Sequence, residues 1–200
     1  MKLLLIRHGP TEWNAQKRIQ GRIDQPLSSS AIEQLHRRQL SNDYLQLKWY
    51  VSPLQRARQT AKLLGIADPT IEPALTEMNW GDWEGEILKP LRKQLGDVMR
   101  DNEKSGLDFC PPKGESPRQV QQRLISWFRQ IAVHSVDAGA VVHKGIIRCV
   151  YSLATGWDMC GDSPIQFNWE QGHEFQISSS GEVLPAYAEI NLESSLIDAN

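Results

Sequence analysis

The stretch that decides the fold is MKLLLIRHGPTEWN, residues 1–14. The apolar residues at positions 3–6 predict a buried β-strand, which ends in the polar turn Arg7-His8-Gly9-Pro10. Charged groups that directly follow a core strand lie at the carboxyl end of a sheet, where open α/β folds place their ligand sites. An arginine beside a histidine at such a place indicates an anion-binding site that contains a nucleophile.

The composition is that of a soluble globular domain. The chain has 200 residues, of which 40% are hydrophobic and 23% are charged, and its net charge is -2. This charge balance gives no electrostatic reason to expect nucleic acid or a membrane as a partner. No apolar run approaches the roughly 18 residues of a membrane span. The apolar residues at positions 3–6 are too few for a signal peptide. The three cysteines lack metal-ligand spacing, so we expect a reducing compartment and a cytoplasmic protein.

Strands and helices alternate through the first three quarters of the chain. Strands are predicted at residues 2–6, 49–51, 71–72 and 138–142. Helical spacing of apolar residues predicts helices at residues 31–40, 54–64, 117–134 and 145–154, with a weaker helical pattern over residues 86–102. Residues 165–169, 174–178 and 182–188 are predicted as short strands, partly joined as hairpins.

This order of elements predicts the α/β class. We expect a three-layer α/β/α sandwich in a single domain, with a central mixed sheet that is mostly parallel and gains the late hairpin strands at one edge. The domain is predicted to span residues 1–192, followed by a C-terminal tail at residues 193–200. His173 follows Gly172, and we expect it to lie in a turn.

Four polar residues are predicted to converge at one edge of the sheet. Two predicted strands deliver His8 and His143 directly after their ends, and a third is followed by a helix with Arg56 in its first turn. If these strands are parallel neighbours, both histidines, Arg56 and Arg7 meet in one pocket. Two guanidinium groups and two imidazoles suit a tetrahedral dianion such as phosphate. One imidazole could attack phosphorus, and a general acid would still be needed for the leaving group.

The resemblance to a known family rests on several stretches in a fixed order. They are RHGPTEWN at 7–14, GRIDQPL at 21–27, SPLQRARQTA at 52–61, LTE at 75–77 with GDWEG at 81–85, GES at 114–116 and VHKGIIR at 142–148. In these stretches the chain resembles the histidine phosphatase superfamily, the branch that also holds the cofactor-dependent phosphoglycerate mutases. The RHG triplet alone would be a weak signal, whereas the ordered set is specific and covers about residues 1–150.

The resemblance implies a division of roles. His8 would be the nucleophile that becomes phosphohistidine, with its ring oriented by a hydrogen bond from its other nitrogen to the backbone. Glu77 would donate a proton to the leaving group and then activate water. The remaining implied site residues contact the phosphoryl group or line the entrance: Arg7, Arg56, His143 and Asn14 for the phosphoryl oxygens, Gln20 and Gly21 at the entrance. The family implies neither a metal nor a cofactor, because the arginines neutralise the charge.

Two positions depart from the common family pattern. Pro10 stands where many relatives carry glutamate, and Lys144 stands where they carry glycine, directly after His143. Lys144 is therefore included among the substrate-binding and phosphate-binding residues. It places a positive charge near the phosphate end of the expected pocket. This charge either favours a more acidic substrate, or the side chain simply points to solvent.

Three functions are compatible with these residues. The first is a phosphomonoesterase acting on a small phosphorylated metabolite, with α-ribazole phosphate a candidate because residues 81–85 and 111–116 are similar to α-ribazole phosphatase-like members. The second is a phosphoglycerate mutase. It is disfavoured because the connection between Glu77 and Gly114 is short, whereas mutases carry a longer insertion there that excludes water. The third is a binding protein, disfavoured because every catalytic position is intact. A phosphorylated small molecule is the expected partner, and a homodimer is compatible with the sequence.

Overall fold

The computed structural model describes residues 1–38 and 40–192, so the predicted tail at 193–200 lies outside the described residues. The strands are β1 Lys2–Arg7, β2 Lys48–Val51, β3 Thr70–Ile71, β4 Ala138–Val142, β5 Gly172–Ile177 and β6 Val183–Ile190. The α-helices are α1 Glu12–Ala15, α2 Ser29–His36, α3 Asn42–Leu45, α4 Gln55–Leu63, α5 Leu88–Leu95, α6 Asp97–Glu103, α7 Pro117–Ala132 and α8 Lys144–Thr155. Short 3₁₀ turns occupy Pro73–Leu75, Gly81–Trp83 and Gly106–Asp108.

The sheet has the strand order β3-β2-β4-β1-β5-β6. The first four of these strands are parallel, and β5 and β6 add antiparallel pairs at one edge. Ala140 in the centre of β4 pairs with Leu5 of β1 on one side and Tyr50 of β2 on the other. The predicted mixed, mostly parallel sheet is confirmed, and β1, β4 and β2 are direct neighbours.

Helices cover both faces of the sheet, which confirms the three-layer sandwich. Leu3 and Leu5 of β1 are buried in the cluster that contains the apolar residues of α7 and α8. Leu4 and Ile6 point to the other face and are buried with the apolar residues of α2 and α4. Alternate side chains of a strand point to opposite faces, so the continuous apolar run of β1 fills both cores.

The helix starts follow from local sequence. The Ser28 hydroxyl accepts a hydrogen bond from the Ala31 N–H at the start of α2. Ser116 caps α7 through a reciprocal pair of hydrogen bonds with Gln119, and Pro117 occupies the first helical position. Such caps satisfy the N–H groups that have no partner within the helix, so both helices begin at these serines.

The predicted strand at residues 165–169 is wrong, because this segment is irregular. Both edges of β5 are already paired, one with β1 and one with β6, so no free edge of β5 remains for a further strand. The aromatic side chains of the segment pack instead: Phe167 stacks on Trp169 at 4.8 Å between ring centroids, and both rings contact His173. The prediction of His173 in a turn is also wrong, since this residue is fully buried in β5.

Two helix predictions need smaller corrections. The weak pattern over residues 86–102 forms two short helices, α5 and α6, because Gly96 between them adopts φ +54°, a left-handed conformation that breaks the helix. Helix α2 ends at His36 and not at residue 40. In the part of the chain that the structure describes, no helix is long and apolar enough to cross a membrane.

Candidate active site

The sheet brings the predicted residues to one edge. His8 directly follows β1 and His143 directly follows β4, and their ring centroids lie 5.1 Å apart. The neighbouring strand β2 ends before Ser52, and helix α4 starts three residues later with Arg56 in its first turn. The expected convergence at the carboxyl ends of parallel strands is therefore observed.

The His8 ring is fixed by the backbone. Its Nδ1 lies 2.7 Å from the carbonyl oxygen of Gly9, so Nδ1–H donates and Nε2 keeps its lone pair. The Gly9 N–H in turn donates to the hydroxyl of Thr60 at 2.9 Å, which holds the turn on α4. Burial, together with the positive charges of Arg56 and Arg7, lowers the pKa of His8 well below its usual value. The ring is therefore neutral at physiological pH, as a nucleophile requires.

The two arginines supply buried positive charge. Arg56 is only 1% exposed, and it donates from Nη1 to the Ile23 carbonyl at 3.0 Å and from Nη2 to the Gly21 carbonyl at 2.7 Å. The Nε atoms of Arg7 and Arg56 are buried and have no hydrogen-bond partner within residues 1–38 and 40–192. Burial lowers the pKa of both guanidinium groups, and the charge of Glu77 opposes that shift. These N–H groups are available for an anion.

The backbone conformation at position 21 requires glycine. Its φ of +52° is left-handed, and a Cβ at this position would collide with the Glu84 carboxylate. That carboxylate accepts hydrogen bonds from the N–H groups of Arg22 and Ile23, at 2.7 and 3.0 Å. The turn therefore presents the Gly21 carbonyl to Arg56 as part of a fixed backbone arrangement.

His143 is completely buried next to His8. Its Nε2 lies 2.7 Å from the Ser52 hydroxyl, and its Nδ1 has no hydrogen-bond partner among the described residues. Burial, followed by the charge of Arg56, lowers the pKa of His143 well below its usual value. Ser52 was not predicted as a site residue, although its place directly after β2 was the available signal.

Glu77 reaches the same place from the loop after β3. Its Oε1 accepts from the Met78 N–H at 2.9 Å, and its Oε2 accepts from the Gly145 N–H at 3.1 Å in the first turn of α8. A Cβ on residue 145 would overlap the Glu77 carboxylate, so a side chain at this position would displace that carboxylate. Glu77 is 9% exposed as a residue, and two backbone N–H groups position its carboxyl group in this nearly dry setting.

A network that the sequence did not predict braces the Glu77 loop. Arg123 of α7 donates to the carbonyls of Ala74 and Thr76 and pairs with both oxygens of Glu115. Glu115 also accepts from Arg22 at 3.2 Å. The Nε of Arg22 donates to the backbone carbonyl of Glu77 at 3.4 Å. Glu115 lies in the quoted GES stretch, whereas Arg123 gave no sequence signal.

These elements enclose a cavity of about 620 Å³. Among the residues that line it are most of the predicted ones: Arg7, His8, Asn14, Gln20, Gly21, Arg56, Glu77 and Lys144. Asn14 and Gln20 are both placed by Thr11, whose N–H donates to Asn14 at 2.9 Å and whose hydroxyl donates to Gln20 at 3.0 Å. His143 does not line the cavity but lies behind it, against His8. The residues are therefore brought together, and their roles remain predictions.

Two further residues of the cavity region were missed. Arg148 lines the cavity with its guanidinium 5.1 Å from the ring centroid of Trp157. Trp169 contacts two cations of the site: the Arg7 guanidinium lies 5.5 Å from its ring centroid, and the Lys144 ammonium lies 5.1 Å from it. The signal for Arg148 was its spacing of four residues from Lys144. The signal for Trp169 was hidden by the wrong strand prediction.

The sequence matches a family model described as "Histidine phosphatase superfamily (branch 1)" over residues 3–173. Among curated proteins, the probable phosphoglycerate mutase GpmB of Escherichia fergusonii is 31% identical over 130 residues, which is 63% of this chain and 60% of that protein. The match therefore spans less than two thirds of that relative.

Solved structures show the same fold. The protein TTHB049 from Thermus thermophilus is 29% identical, with a TM-score of 0.70, over 96% of this chain and 100% of that chain. A mycobacterial glucosyl-3-phosphoglycerate phosphatase complexed with VO3 has a TM-score of 0.72 and 20% identity, over 97% of this chain and 99% of that chain. At that identity the second likeness concerns the fold alone.

Proposed function

Because the chain belongs to the histidine phosphatase superfamily, branch 1, we propose that it is a phosphomonoesterase that hydrolyses a small phosphorylated metabolite through a phosphohistidine on His8. The observation that carries this proposal is the state of His8. Its Nδ1 is tied to the Gly9 carbonyl, and its neutral ring lines a cavity together with Arg7 and Arg56. A free imidazole nitrogen in a cavity lined by two guanidinium groups is suited to attack on a phosphoryl dianion.

In the first step, Nε2 of His8 attacks phosphorus and the ester P–O bond breaks. Arg7 and Arg56 neutralise the charge on the transferring oxygens, and Asn14 and the neutral His143 are further contacts. Glu77 in its protonated form gives its proton to the leaving oxygen, so that the alcohol departs neutral and the enzyme holds phosphohistidine.

In the second step, the Glu77 carboxylate takes a proton from water as that water attacks the phosphohistidine. The N–P bond breaks, inorganic phosphate forms, and His8 returns to its neutral state. Glu77 ends protonated, ready for the next cycle. Acid and base are thus one residue, consistent with a single carboxyl group held at the cavity by two backbone N–H groups.

Hydrolysis is favoured over a mutase reaction because the segment that could cover the cavity is short. The segment between Glu77 and Gly114 contributes two short helices, α5 and α6, and exposed residues such as Lys17 and Arg18 border the cavity. Water can therefore reach a phosphohistidine there, whereas a mutase must keep water out. A phosphoglycerate mutase remains the second candidate because curated relatives such as the Escherichia fergusonii protein bear that name.

One experiment separates these functions. The purified protein is incubated with 2- and 3-phosphoglycerate, with α-ribazole phosphate and with a panel of phosphorylated metabolites, and both released phosphate and phosphoglycerate interconversion are measured. We expect release of phosphate. Interconversion of the two phosphoglycerates without phosphate release would identify a mutase. A protein that does neither and binds phosphate esters without turnover would be a binding protein.

A second experiment tests the intermediate. Rapid quenching during turnover should trap a phosphorylated protein whose phosphate is acid-labile and base-stable, and the label should map to His8. Labelling of His143 or of a serine would contradict the proposed nucleophile.

For the cellular location we propose the cytoplasm. The support is the state of the cysteines: Cys110, Cys149 and Cys160 are all free, as expected in a reducing compartment.

A further inference from the structure

Helix α8 presents two cations to the cavity in addition to Arg7 and Arg56. Lys144 is its first residue and Arg148 follows four residues later, so both lie on one face of the helix. Both line the cavity that contains His8 and Glu77. Four residues of an α-helix advance by about 6 Å along its axis. The pair therefore extends the positive charge away from His143, along one wall of the cavity.

Neither cation is paired with a carboxylate in the part of the chain that the structure describes. Within those ranges, no carboxylate lies within ion-pair distance of Lys144 or Arg148, and the Nε of Arg148 is buried without a hydrogen-bond partner. Arg92, another cation of the same cavity, pairs with Glu103 at 2.6 Å. Asp162 acts on Arg148 through its charge without forming an ion pair. The two α8 cations are thus available to a ligand.

Aromatic rings hold both groups in place. The Lys144 ammonium lies 5.1 Å from the Trp169 ring centroid, and the Arg148 guanidinium lies 5.1 Å from the Trp157 ring centroid. Ring contacts of this kind orient a cation without neutralising it. Burial lowers the pKa of both side chains, and the charge of Arg148 adds to the shift of Lys144. Lys144 is exposed and Arg148 is half-buried, and their unpaired positive charges repel each other. An anion bound by both groups would relieve that repulsion.

We propose that Lys144 and Arg148 form a second anion-binding subsite, so that the substrate is a phosphate monoester that carries a second anionic group, either a carboxylate or a second phosphate. The placement of the ester phosphate at His8 rests on the proposed function. Lys144 is an exposed residue that lines the cavity, so of its two alternatives the subsite takes the more acidic substrate.

The test compares two ligands that differ only in charge. In 3-carboxyphenyl phosphate and 3-carbamoylphenyl phosphate the second group is a carboxylate or its neutral amide, at equal size and reach. The bisphosphate of 1,3-dihydroxybenzene tests a second phosphate. Dissociation constants are measured by calorimetry with the His8→Ala full-length protein, so that no turnover occurs. We expect the carboxylate ligand, the bisphosphate ligand or both to bind about tenfold more tightly than the amide.

Variants in the His8→Ala background assign this preference to residues. Lys144→Gln should reduce the preference to within about twofold, and Lys144→Arg should retain it, because charge and reach are kept. Arg148→Lys should retain much of it and Arg148→Gln should lose it. Lys62→Gln removes an equal charge from an exposed position on α4 that does not line this cavity, and it should leave the preference unchanged. If Arg148→Gln fails to fold, the two Lys144 variants still show whether the charge preference depends on this subsite.

The outcomes separate this inference from the proposed function. Hydrolysis of the neutral amide ester by the unmodified protein tests the phosphatase. If that ester is hydrolysed but all three ligands bind equally, the second subsite is overturned and the phosphatase stands. If no ester is hydrolysed but the charge preference depends on Lys144, the subsite stands and the phosphatase is overturned. A preference that survives Lys144→Gln and Arg148→Gln together also overturns the subsite.

Discussion

The cavity has two parts that are built differently. The inner pocket, formed by residues 7–9, 52–56 and 143–145, stands on the ends of β1, β2 and β4. Its histidines are fixed by a backbone carbonyl and a serine hydroxyl, and Arg56 is fixed by two carbonyls. The outer wall, formed by residues 86–109 and 156–170 together with the side chains of Lys144 and Arg148, consists of short helices and loops.

Two cations of the outer wall are held more loosely than the charged groups of the inner pocket. These cations, Lys144 and Arg148, are held by contacts with aromatic rings and not by hydrogen bonds within the described ranges. Under the proposed function, we infer from this contrast that the sheet would determine the reaction and the loops would determine which phosphate ester is accepted.

The largest effect is expected in the inner pocket, from His8→Ala. Loss of the nucleophile should lower kcat for 4-nitrophenyl phosphate by at least about 10⁴-fold, because the covalent intermediate can no longer form. Circular dichroism of the variant should match that of the parent. Residual activity within a factor of about 100 would mean that the chemistry does not depend on the inner pocket as proposed.

Glu77→Gln should have the next largest effect, and it should depend on the leaving group. Alkyl phosphates need a proton on the leaving oxygen, so their turnover should fall by about 10²- to 10⁴-fold. The first step with 4-nitrophenyl phosphate should suffer much less, because that leaving group departs without a proton. Single-turnover measurement on both ester classes provides the comparison, and equal losses in this step would contradict the acid role.

The inner pocket could be predicted from the sequence because it depends on chain order and strand ends. Three local patterns suffice to predict it once the strands are parallel neighbours. They are an apolar run followed by Arg7-His8, a second apolar run followed by His143, and a helix start at Arg56. The resemblance added Glu77, whose side chain arrives from a loop. The sheet type and the three layers followed from the same alternation of elements.

The outer wall could not be predicted because its contacts depend on tertiary packing. The aromatic segment at 165–169 has the composition of a strand, but β1 and β6 already occupy both edges of β5. Trp169 therefore reaches Arg7 and Lys144 through space, and no local pattern indicates that contact. Arg123 shows the same limit in the loop of Glu77, since its carbonyl partners are about 50 residues away along the chain.

Stability should depend on pH through His173, which lies beneath the outer wall. Burial lowers its pKa to about 4, so the folded protein leaves it neutral while the unfolded chain protonates it below about pH 6.5. The unfolded state then binds more protons, and stability falls as the pH falls from 6.5 to 4, by about 3 kcal/mol from this residue. Denaturant unfolding of the parent and of His173→Gln across this range should show a shallower pH dependence in the variant.

His8 and His143 remain in the His173→Gln variant, and their lowered pKa values act in the same direction. The variant should therefore keep part of the acid sensitivity. Identical pH slopes in the two proteins would show that His173 is not held neutral by the fold.

Ser52→Ala should produce a smaller loss in the inner pocket. Without the hydroxyl, Nε2 of His143 loses its hydrogen bond and the ring is less well oriented, so kcat/KM should fall by about tenfold. Ser126→Ala, an exposed serine on α7, is the matched control and should leave activity unchanged. A loss as large as that of His8→Ala would show that Ser52 takes part in the chemistry itself.

The smallest effect is expected in the outer wall, from Trp169→Leu. The ring contacts the cationic groups of Arg7 and Lys144, and each such contact contributes about 0.5–1 kcal/mol at a partly exposed site. KM for phosphate esters should therefore rise by about two- to fivefold, while kcat changes little because His8 and Glu77 keep their backbone hydrogen bonds. Trp169→Phe keeps an aromatic face, so its KM should lie between that of the parent and that of Trp169→Leu. A large drop in kcat would mean that the outer wall positions the reacting groups, and the division between reaction and substrate choice would then fail.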